Sequence, residues 1–445
     1  MQQRVLLIQP REGQKNVTRL LCRPLALEML ASRLTTAEVD IYDMRVDDLA
    51  LEAKLSQFNP TLVGITCPFT VTVPSVLNLI REISRLRPQT CIIVGGVHPS
   101  LVPEDFTGTG VHAIVRGPGE TTLERMVAVR EQGGSWRDIP NLYVKEHGEF
   151  VFTGEDAAAF GFGHSSLPAR ALTTKYLERY TRTPRGQTVS ISVTSRGCPY
   201  RCNFCAAWKV QGGRFLCREI EDVVTEIKQT GEEVIYFFDD NALARIPRMR
   251  QLAARLKAEK VTKEYQMWAS ADAIARNEDL IREWAEIGLK RLFVGFESWR
   301  DEELREYGKK ASVSTNEAAH RLLKKHGIEL SPTFIVRPDF TADDFRQLHA
   351  YLLGNQYFMP YPVLYTPLPG TELWEQHKHE LLTRDYECYD LFHLTLPPRH
   401  MDAAEFMSRF IALYLENPSW QMMAQRSPVV SQMLDGIRSL AAPLR

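Results

Sequence analysis

The stretch TSRGCPYRCNFCAAWKVQGG, residues 194–213, holds three of the eight cysteines of the chain. Cys202 lies four residues after Cys198, and Cys205 lies three residues after Cys202. Thiolates are soft ligands that favour zinc, copper(I) and iron–sulfur clusters. A structural zinc site takes four ligands, usually in two pairs, whereas the nearest further cysteine here is Cys217. The spacing favours an iron–sulfur cluster with one iron left open, and a zinc knuckle is the alternative.

A series of strand-like runs separated by helix-like segments begins just before this loop. The predicted strands are residues 189–194, 233–240, 265–270, 291–298, 329–336 and 356–366. Six β/α units are typical of a closed or partial barrel, in which the site lies at the C-terminal ends of the strands. Since the cysteine loop directly follows the first of these strands, we expect it at the catalytic end of the barrel.

The N-terminal part of the chain shows a second series of this kind. Apolar runs predict strands at residues 5–10, 39–44, 62–66, 91–96 and 112–117. Helix-like segments, among them residues 24–34, 75–86 and 120–132, lie between or after them. This alternation predicts an α/β fold with a doubly wound parallel sheet, which binds ligands outside the carboxyl ends of its strands.

The remaining segments complete the predicted organisation. Residues 141–154 alternate around His147 and Gly148, which predicts a β-hairpin, and residues 155–187 have the composition of a linker. The segment after the last predicted strand is mostly helical. We therefore predict a doubly wound domain over 1–140, a hairpin and linker over 141–187, a partial barrel over 188–372 and a helical C-terminal domain over 373–445.

Composition limits the partners and the compartment. The chain carries 54 Lys and Arg against 55 Asp and Glu, a formal net charge of -1, so nothing general favours nucleic acid. No apolar run is long enough to predict a membrane span, and the N-terminal apolar run is too short for a secretory signal. A cytoplasmic location is therefore expected, with the five scattered cysteines reduced.

The Cys-x-x-x-Cys-x-x-Cys pattern after a first barrel strand resembles the radical S-adenosylmethionine superfamily. The segments FFDDN (237–241), WASADAI (268–274), VGFES (294–298) and TPLPGTEL (366–373) look like the strand-end motifs of that family. The resemblance implies that Cys198, Cys202 and Cys205 hold a [4Fe-4S] cluster. It also implies that S-adenosylmethionine chelates the open iron and is cleaved reductively to a 5′-deoxyadenosyl radical.

The same resemblance implies a set of residues for binding these cofactors. Phe204 would shield the cluster from water, and acids at three strand ends would meet the methionine amine, the ribose or the carboxylate end. The sequence departs from the family where Asp239 and Asp240 replace a Gly-Gly-Glu-like segment. The alternative for each acid is a solvated loop or a helix cap, and the alternative for Arg337 is an ion pair with a neighbouring acid. The residues expected to bind S-adenosylmethionine or to shield the cluster are Phe204, Asp239, Asp240, Ser270, Asp272, Glu297 and Arg337.

The N-terminal domain resembles the cobalamin-binding domain that precedes some radical S-adenosylmethionine barrels. The landmarks are LVGIT (62–66), VGGVHPS (94–100) and RGPGET (116–121). Their glycines would leave room for the flat corrin ring. The Asp-x-His-x-x-Gly motif of corrinoid carriers is absent, and the alternative is a domain that only supports the barrel. The residues expected to bind cobalamin are Thr66, Gly95, Gly96, His98, Gly117 and Glu120.

Together the two resemblances imply a cobalamin-dependent radical enzyme. The expected activity is methylation of an unactivated carbon of a small-molecule, lipid or natural-product substrate, through a 5′-deoxyadenosyl radical and methylcobalamin. An external electron donor of flavodoxin or ferredoxin type is expected. The alternatives are a cyclase or rearrangement enzyme on the same scaffold, and a corrinoid or metal-binding module without radical chemistry. The sequence assigns neither a catalytic acid–base residue nor a specific substrate.

Overall fold

The structure is a computed structural model that describes residues 3–13, 21–162, 167–183 and 186–441. Parts of the predicted linker, residues 163–166 and 184–185, lie outside the described residues, as do short segments of the two terminal domains. The chain folds into two α/β units followed by helices, which confirms the predicted fold class.

Seven strands of the described chain form the first sheet, in the order β2-β1-β3-β4-β5-β6-β7. Strands β1 to β5 are parallel, as the apolar runs predict. The strands are β1 Arg4–Gln9, β2 Glu38–Asp43, β3 Leu62–Thr66, β4 Cys91–Gly95, β5 Ala113–Val115, β6 Leu142–Glu146 and β7 Glu149–Phe152. The helices are α1 Leu25–Arg33, α2 Leu51–Phe58, α3 Val73–Leu86, α4 Val97–Leu101 and α5 Glu120–Glu131.

The predicted hairpin belongs to this sheet. Strand β6 pairs antiparallel with β5 and with β7, and the turn between β6 and β7 places His147 at φ +49° and Gly148 at φ +96°. Two positive φ angles match the twist of the flanking strands in a two-residue turn. The first sheet therefore extends past residue 140, with an antiparallel edge on a parallel core.

The second sheet has six parallel strands within the described residues, in the order β15-β14-β13-β12-β11-β8. They are β8 Val189–Ser192, β11 Val234–Phe237, β12 Glu264–Ala269, β13 Leu289–Glu297, β14 Glu329–Val336 and β15 Tyr361–Leu364. The short pair β9 Ser195–Arg196 and β10 Leu216–Cys217 lies beside this sheet. The helices are α6 Ala207–Val210, α7 Ile220–Gln229, α8 Ile246–Ala258, α9 Ala271–Ala275, α10 Glu278–Glu286, α11 Asp301–Glu306, α12 Val313–Lys325, α13 Ala342–Asn355 and α14 Glu372–His377.

Side chains of the second sheet alternate between two environments. In β12, Tyr265, Met267 and Ala269 are buried in the cluster formed with the outer helices, whereas Trp268 on the opposite face is partly exposed. This alternation is the period of a strand with helices on one side. The concave face of the partial barrel therefore stays accessible at the ends of the strands.

Three C-terminal helices cover the β15 edge of the barrel. They are α15 Ala403–Leu415, α16 Pro418–Arg426 and α17 Pro428–Ser439. Trp420 donates a hydrogen bond from Nε1 to the Pro360 carbonyl at 2.7 Å, and the Tyr414 hydroxyl donates to the Pro362 carbonyl. The aromatic face of α15 is thus part of the barrel core. No helix among the described residues is long and apolar enough to span a membrane.

A buried network of opposite charges joins the two α/β units, and we call it the interdomain charge network. Arg23 contacts Glu28 of α1 at 2.9 Å and Glu232 of the barrel at 3.1 Å. Arg170, from the segment between the units, contacts Glu28 at 3.3 Å and also pairs with Glu226 of α7. The members are Arg23, Glu28, Arg170, Arg218, Glu226 and Glu232, and all except Arg170 are buried.

Removal of one acid from this network should destabilise the fold. Glu226→Gln would remove the carboxylate charge that Arg170 and Arg218 share, and removal of one partner of a buried ion pair costs about 3–5 kcal/mol. Urea unfolding of the cluster-free protein measures the loss. The control is Glu221→Gln, also on α7, whose exposed carboxylate contacts Arg255 at 2.7 Å. It should change stability little, and equal losses in the two variants would contradict the network's importance.

Candidate functional site

The cysteine loop is held closed at its base by a short strand pair. Ser195 and Arg196 of β9 pair with Cys217 and Leu216 of β10. Between them, Gly197 has φ +85°, and a Cβ there would lie 2.2 Å from the Arg214 carbonyl oxygen. Only glycine fits such a position. The chain reversal therefore presents Cys198, Cys202 and Cys205 from one loop at the end of β8.

Cys202 is buried, and Cys198 and Cys205 are half-buried. Burial raises the pKa of the Cys205 thiol to about 12 and raises the pKa values of Cys198 and Cys202. A metal must therefore displace the protons when it binds. In the described parts of the chain no three His, Cys, Asp or Glu side chains converge on a single ion. A cubane cluster, in which each thiolate binds a different iron, needs no such convergence.

Two polar residues around the loop fit a bound group of this kind. The Asn241 side chain lies with Nδ2 4.0 Å from the Cys198 sulfur, and its Oδ1 is buried without a hydrogen-bond partner. Lys309 is largely buried near Cys202 and Cys205, where a cation lowers the cost of thiolate charge. The sequence interpretation missed both residues.

The predicted acids at the end of β11 accept hydrogen bonds from other residues of the protein. Asp239 is buried and accepts hydrogen bonds from the Thr194 amide at 2.7 Å and from the Thr194 and Ser195 hydroxyls at 2.6 Å. Asp240 accepts from the Gly197 amide at 2.7 Å. Both carboxylates therefore hold the base of the cysteine loop in place.

Residues at the end of β12 act on the same loop. Asp272 accepts a hydrogen bond from the Tyr200 hydroxyl at 2.5 Å, and Tyr200 lies between the first two cysteines. Burial raises the pKa of Tyr200 to about 12, so the phenol stays a donor at neutral pH. Ser270, immediately before α9, is partly buried and makes no capping hydrogen bond.

Glu297 lies at a strained point at the end of β13. It has φ +62°, and its carboxylate contacts Lys309 Nζ at 3.0 Å and accepts from the Thr333 hydroxyl at 3.1 Å. A Cβ on Gly295 would lie 2.1 Å from Glu297 Oε1, so a larger residue there would displace this carboxylate. Backbone strain of this kind is often found at functional sites. Burial alone would lower the Lys309 pKa, but the facing Glu297 carboxylate and Cys202 keep it above its usual value.

The last two residues predicted near the S-adenosylmethionine site have protein contacts. Arg337 contacts Asp339 at 2.9 Å and pairs with Glu306, which is the alternative considered for it from sequence. Phe204 packs edge-on against Tyr307, with ring centres 5.7 Å apart. Phe204 therefore lies beside Cys205 in an aromatic wall.

The first sheet carries a cavity of about 210 Å³ at the carboxyl ends of β3, β4 and β5. Leu27 and Leu30 of α1 and Leu123 of α5 form an apolar side of it. Five of the six residues predicted for cobalamin line it: Thr66, Gly95, Gly96, Gly117 and Glu120. The cavity lies where doubly wound sheets bind ligands.

Two of the glycines in the cavity wall are also required by the local backbone conformation or by close neighbours. Gly96 has φ +125°, and a Cβ there would lie 2.5 Å from the Cys67 carbonyl oxygen. Gly117 has φ +74°, with Phe160 in the place of a side chain. Gly95 is different, because a Cβ there would touch only Val115, at 3.4 Å and beyond. Gly95 therefore leaves space open to the cavity, which fits a flat ligand.

His98 is held by the protein away from this cavity. Its Nδ1 is 3.1 Å from the Thr70 hydroxyl and its Nε2 is 2.8 Å from an Asp105 carboxylate oxygen. The ring also packs against Tyr386, with centres 5.4 Å apart. Because each ring nitrogen already has a protein partner, this arrangement does not favour cobalt ligation by His98.

The cavity in the first domain has a wall from the second. Arg196, Val210 and Gln211 flank the cysteine loop and line the cavity together with Glu120. Arg196 and Glu120 form a two-point ion pair, with one contact at 3.1 Å. Burial opposes ionisation of Glu120, but the facing Arg196 keeps its pKa below the usual value. The sequence placed the two sites at strand ends but gave no signal that they share a wall.

The buried Asp239 carboxyl gives a pH-dependent prediction. Burial raises its pKa from 3.8 to about 6, so the folded protein favours the neutral acid. Wild-type stability should therefore fall by about 3 kcal/mol relative to Asp239→Asn as the pH rises through this window. Urea unfolding of cluster-free protein across the window measures the difference. The exposed Asp435→Asn is the control, and a pH-independent difference for Asp239→Asn would contradict the assignment.

Two comparisons with known sequences match the two sites. Residues 16–127 match the family model of the B12 binding domain, and residues 192–352 match that of the Radical SAM superfamily. Hopanoid C-3 methylase from Methylococcus capsulatus is 27% identical over 89% of this chain and 77% of that protein. An anaerobic magnesium-protoporphyrin IX monomethyl ester cyclase from Rubrivivax gelatinosus is 24% identical over 85% of this chain and 70% of that protein.

A solved structure shares the whole architecture. The radical S-adenosylmethionine methyltransferase TsrM from Kitasatospora setae, with cobalamin and a [4Fe-4S] cluster bound, superposes with a TM-score of 0.72. The match covers 99% of this chain and 100% of that chain at 17% identity, which shows a common fold. The chain therefore belongs to the cobalamin-dependent radical S-adenosylmethionine enzymes, with a [4Fe-4S] cluster, S-adenosylmethionine and cobalamin as its cofactors.

Proposed function

We propose that this enzyme is a C-methyltransferase that acts on an unactivated carbon of an apolar small-molecule or lipid substrate. The main support for this proposal is the shared wall: residues that flank the cysteine loop also line the cavity at the end of the first sheet. When bound, the cluster and S-adenosylmethionine supply a radical and cobalamin supplies a methyl group. A common wall brings these two chemistries into one space.

The roles of the site residues follow from their contacts. Cys198, Cys202 and Cys205 would bind iron, while Asp239 and Asp240 keep the loop in shape. Asp272 would also help to hold the loop in shape, because it accepts the hydrogen bond of the Tyr200 hydroxyl. We infer a supporting role for these acids rather than direct contact with the methionine amine.

Other side chains are better placed to meet ligands directly. The side-chain amide of Asn241 is one of them. Its nitrogen lies near the Cys198 sulfur, and its buried oxygen, Oδ1, has no hydrogen-bond partner in the described structure. The Glu297 and Lys309 pair adjoins the cysteines and presents opposite charges, which suits an amino-acid moiety or a ribose hydroxyl. Thr66 and Gly95 would face the corrin. Arg337 would have a supporting role, since its guanidinium is paired with Asp339 and Glu306.

The concave face of the barrel indicates the substrate class. Its rings form a continuous set, with centres 5.2 Å apart for Tyr236 and Phe293 and 5.1 Å apart for Trp268 and Phe293. Phe238 at the mouth is 44% exposed. We call this set the aromatic floor: Tyr236, Phe238, Trp268, Phe293 and Tyr361. A surface of this kind favours a large apolar substrate, and the relative from Methylococcus capsulatus is named for a hopanoid.

The proposed chemistry also needs an electron from outside the chain. The remaining cysteines are Cys22, Cys67, Cys91, Cys217 and Cys388, which lie singly along the sequence. We propose an external one-electron donor of flavodoxin or ferredoxin type.

A cyclase or rearrangement enzyme on the same scaffold is the second candidate. The relative from Rubrivivax gelatinosus, named as a cyclase, supports it over much of the chain. Methylation is the better proposal, because the relative named as a methylase is more similar and covers more of both proteins. S-adenosylmethionine with a deuterated methyl group distinguishes the two, since only methylation transfers deuterium to product.

Anaerobically reconstituted enzyme should bind about four irons and about one cobalt and should transfer the labelled methyl group to an apolar substrate. Cys202→Ala should lose the iron and stop forming 5′-deoxyadenosine. Cys388→Ala is the matched control, because both side chains are equally buried at 7% and Cys388 lies in the C-terminal segment. Full 5′-deoxyadenosine production by Cys202→Ala would contradict radical chemistry at this loop.

A substitution in the aromatic floor should separate methyl transfer from the formation of 5′-deoxyadenosine. Trp268→Ala removes one ring from the floor and should lower methyl transfer about tenfold or more, since loss of a positioned ring misplaces the substrate. Formation of 5′-deoxyadenosine should continue. The ratio of methylated product to 5′-deoxyadenosine measures this uncoupling. Trp136→Ala, in the first domain, is the control, and an unchanged ratio in Trp268→Ala would contradict a substrate role for the floor.

A further inference from the structure

Gln211 is an unusual member of the cavity wall. It belongs to the second domain and follows α6, yet it lines the cavity at the carboxyl ends of β3 to β5. The residue is only 8% exposed, and its side-chain Oε1 is buried without a hydrogen-bond partner in the described structure. Since buried polar atoms are nearly always paired, an unpaired acceptor on a residue of a cavity wall leaves a place for a donor from a ligand.

The missing donor can be defined by the chemistry of the expected ligand. Leu27 and Leu30 of α1 and Leu123 of α5, which form the apolar side of the cavity, offer no N–H or O–H group, and the Arg196 guanidinium in the wall is paired with Glu120. Corrin rings carry primary amide side chains, whose N–H groups are suitable donors for a carboxamide oxygen. The cavity thus combines a large apolar wall with one free acceptor, which is typical of small-molecule sites.

Gln211 is mechanically linked to the cluster ligands. The cysteine loop runs from Arg196, which is paired with Glu120 across the domain boundary, to Gln211 at its other end. Gln211 also accepts a hydrogen bond at its carbonyl from the Arg214 amide at 3.1 Å, and its Cγ would lie 3.3 Å from a Cβ on Gly197. Both ends of the loop therefore meet the cavity.

We propose that Gln211 accepts a hydrogen bond from a cobalamin amide and that a filled cavity thereby stabilises the cysteine loop that holds the cluster. The proposal rests on the cobalamin cofactor of the proposed function. Because linkage is reciprocal, assembly of the cluster should tighten cobalamin binding by the same factor. Gln211 is a binding and positioning residue in this scheme, and the two cofactors are coupled through it.

The test uses titration of the full-length protein with hydroxocobalamin, followed by absorbance and equilibrium dialysis. Gln211→Met keeps the chain length and removes the acceptor, and it should weaken binding about three- to tenfold. Gln211→Glu keeps an acceptor and should bind within about threefold of wild type. The control is Gln229→Met on the exposed end of α7. Each titration is run with and without the reconstituted cluster.

A second readout is the rate at which a chelator removes iron from the reconstituted cluster. Hydroxocobalamin should slow this rate in wild type and in Gln211→Glu, but clearly less in Gln211→Met. Thermal unfolding of ligand-free Gln211→Met should match or exceed that of wild type, because a buried unpaired acceptor has been removed. A marked fall in its ligand-free stability would overturn the proposal, since it would reveal a protein partner for Oε1.

The remaining outcomes separate this inference from the proposed function. Wild-type protein that binds no cobalamin would overturn both. Wild-type binding with an equal affinity in Gln211→Met, or an equal loss in the Met and Glu variants, would overturn only the role of Gln211. Cobalamin affinity that does not depend on the cluster in wild type would overturn the coupling.

Discussion

The interdomain charge network is the interaction on which the rest of this structure depends. It takes six charged side chains from α1, the connecting segment and the barrel, and it removes nearly all of them from water. Such a network is not an efficient source of stability, because well-packed apolar residues can do as well. The network does favour one relative placement of the two sheets, since a shifted placement that kept these charges buried would leave them without partners.

That placement decides the chemistry. The carboxyl ends of both sheets are brought to a common boundary, where Arg196 and Glu120 pair and where Gln211 reaches the cavity of the other domain. The acids at the barrel mouth then form the frame of the cysteine loop. The concave face keeps the aromatic floor, so charged side chains surround the cysteine loop while an apolar surface lies beside them.

Much of this could be predicted from local sequence. Continuous apolar runs such as LVGIT locate the buried parallel strands, and the His147-Gly148 pair locates the hairpin turn. The cysteine spacing identifies the loop. Particular side-chain contacts could not be predicted, because they depend on residues distant in sequence. The sequence predicts a ligand contact for Asp239, whose carboxylate accepts hydrogen bonds from Thr194 and Ser195 in the structure, and it offers no signal for Lys309.

Three features can be read from the amino-acid sequence alone: the order of the two α/β units, the loop that carries the three cysteines, and the glycines near the strand ends. Each of these follows from local periodicity, spacing or backbone freedom. The shared wall of the two sites, the contacts of His98 with Thr70 and Asp105, and the unpaired Oε1 of Gln211 are visible only in the folded chain. Hydrogen-bond partners and side-chain burial depend on which residues are neighbours in space. These neighbours are often distant in sequence and are set by the packing of all the helices and strands together.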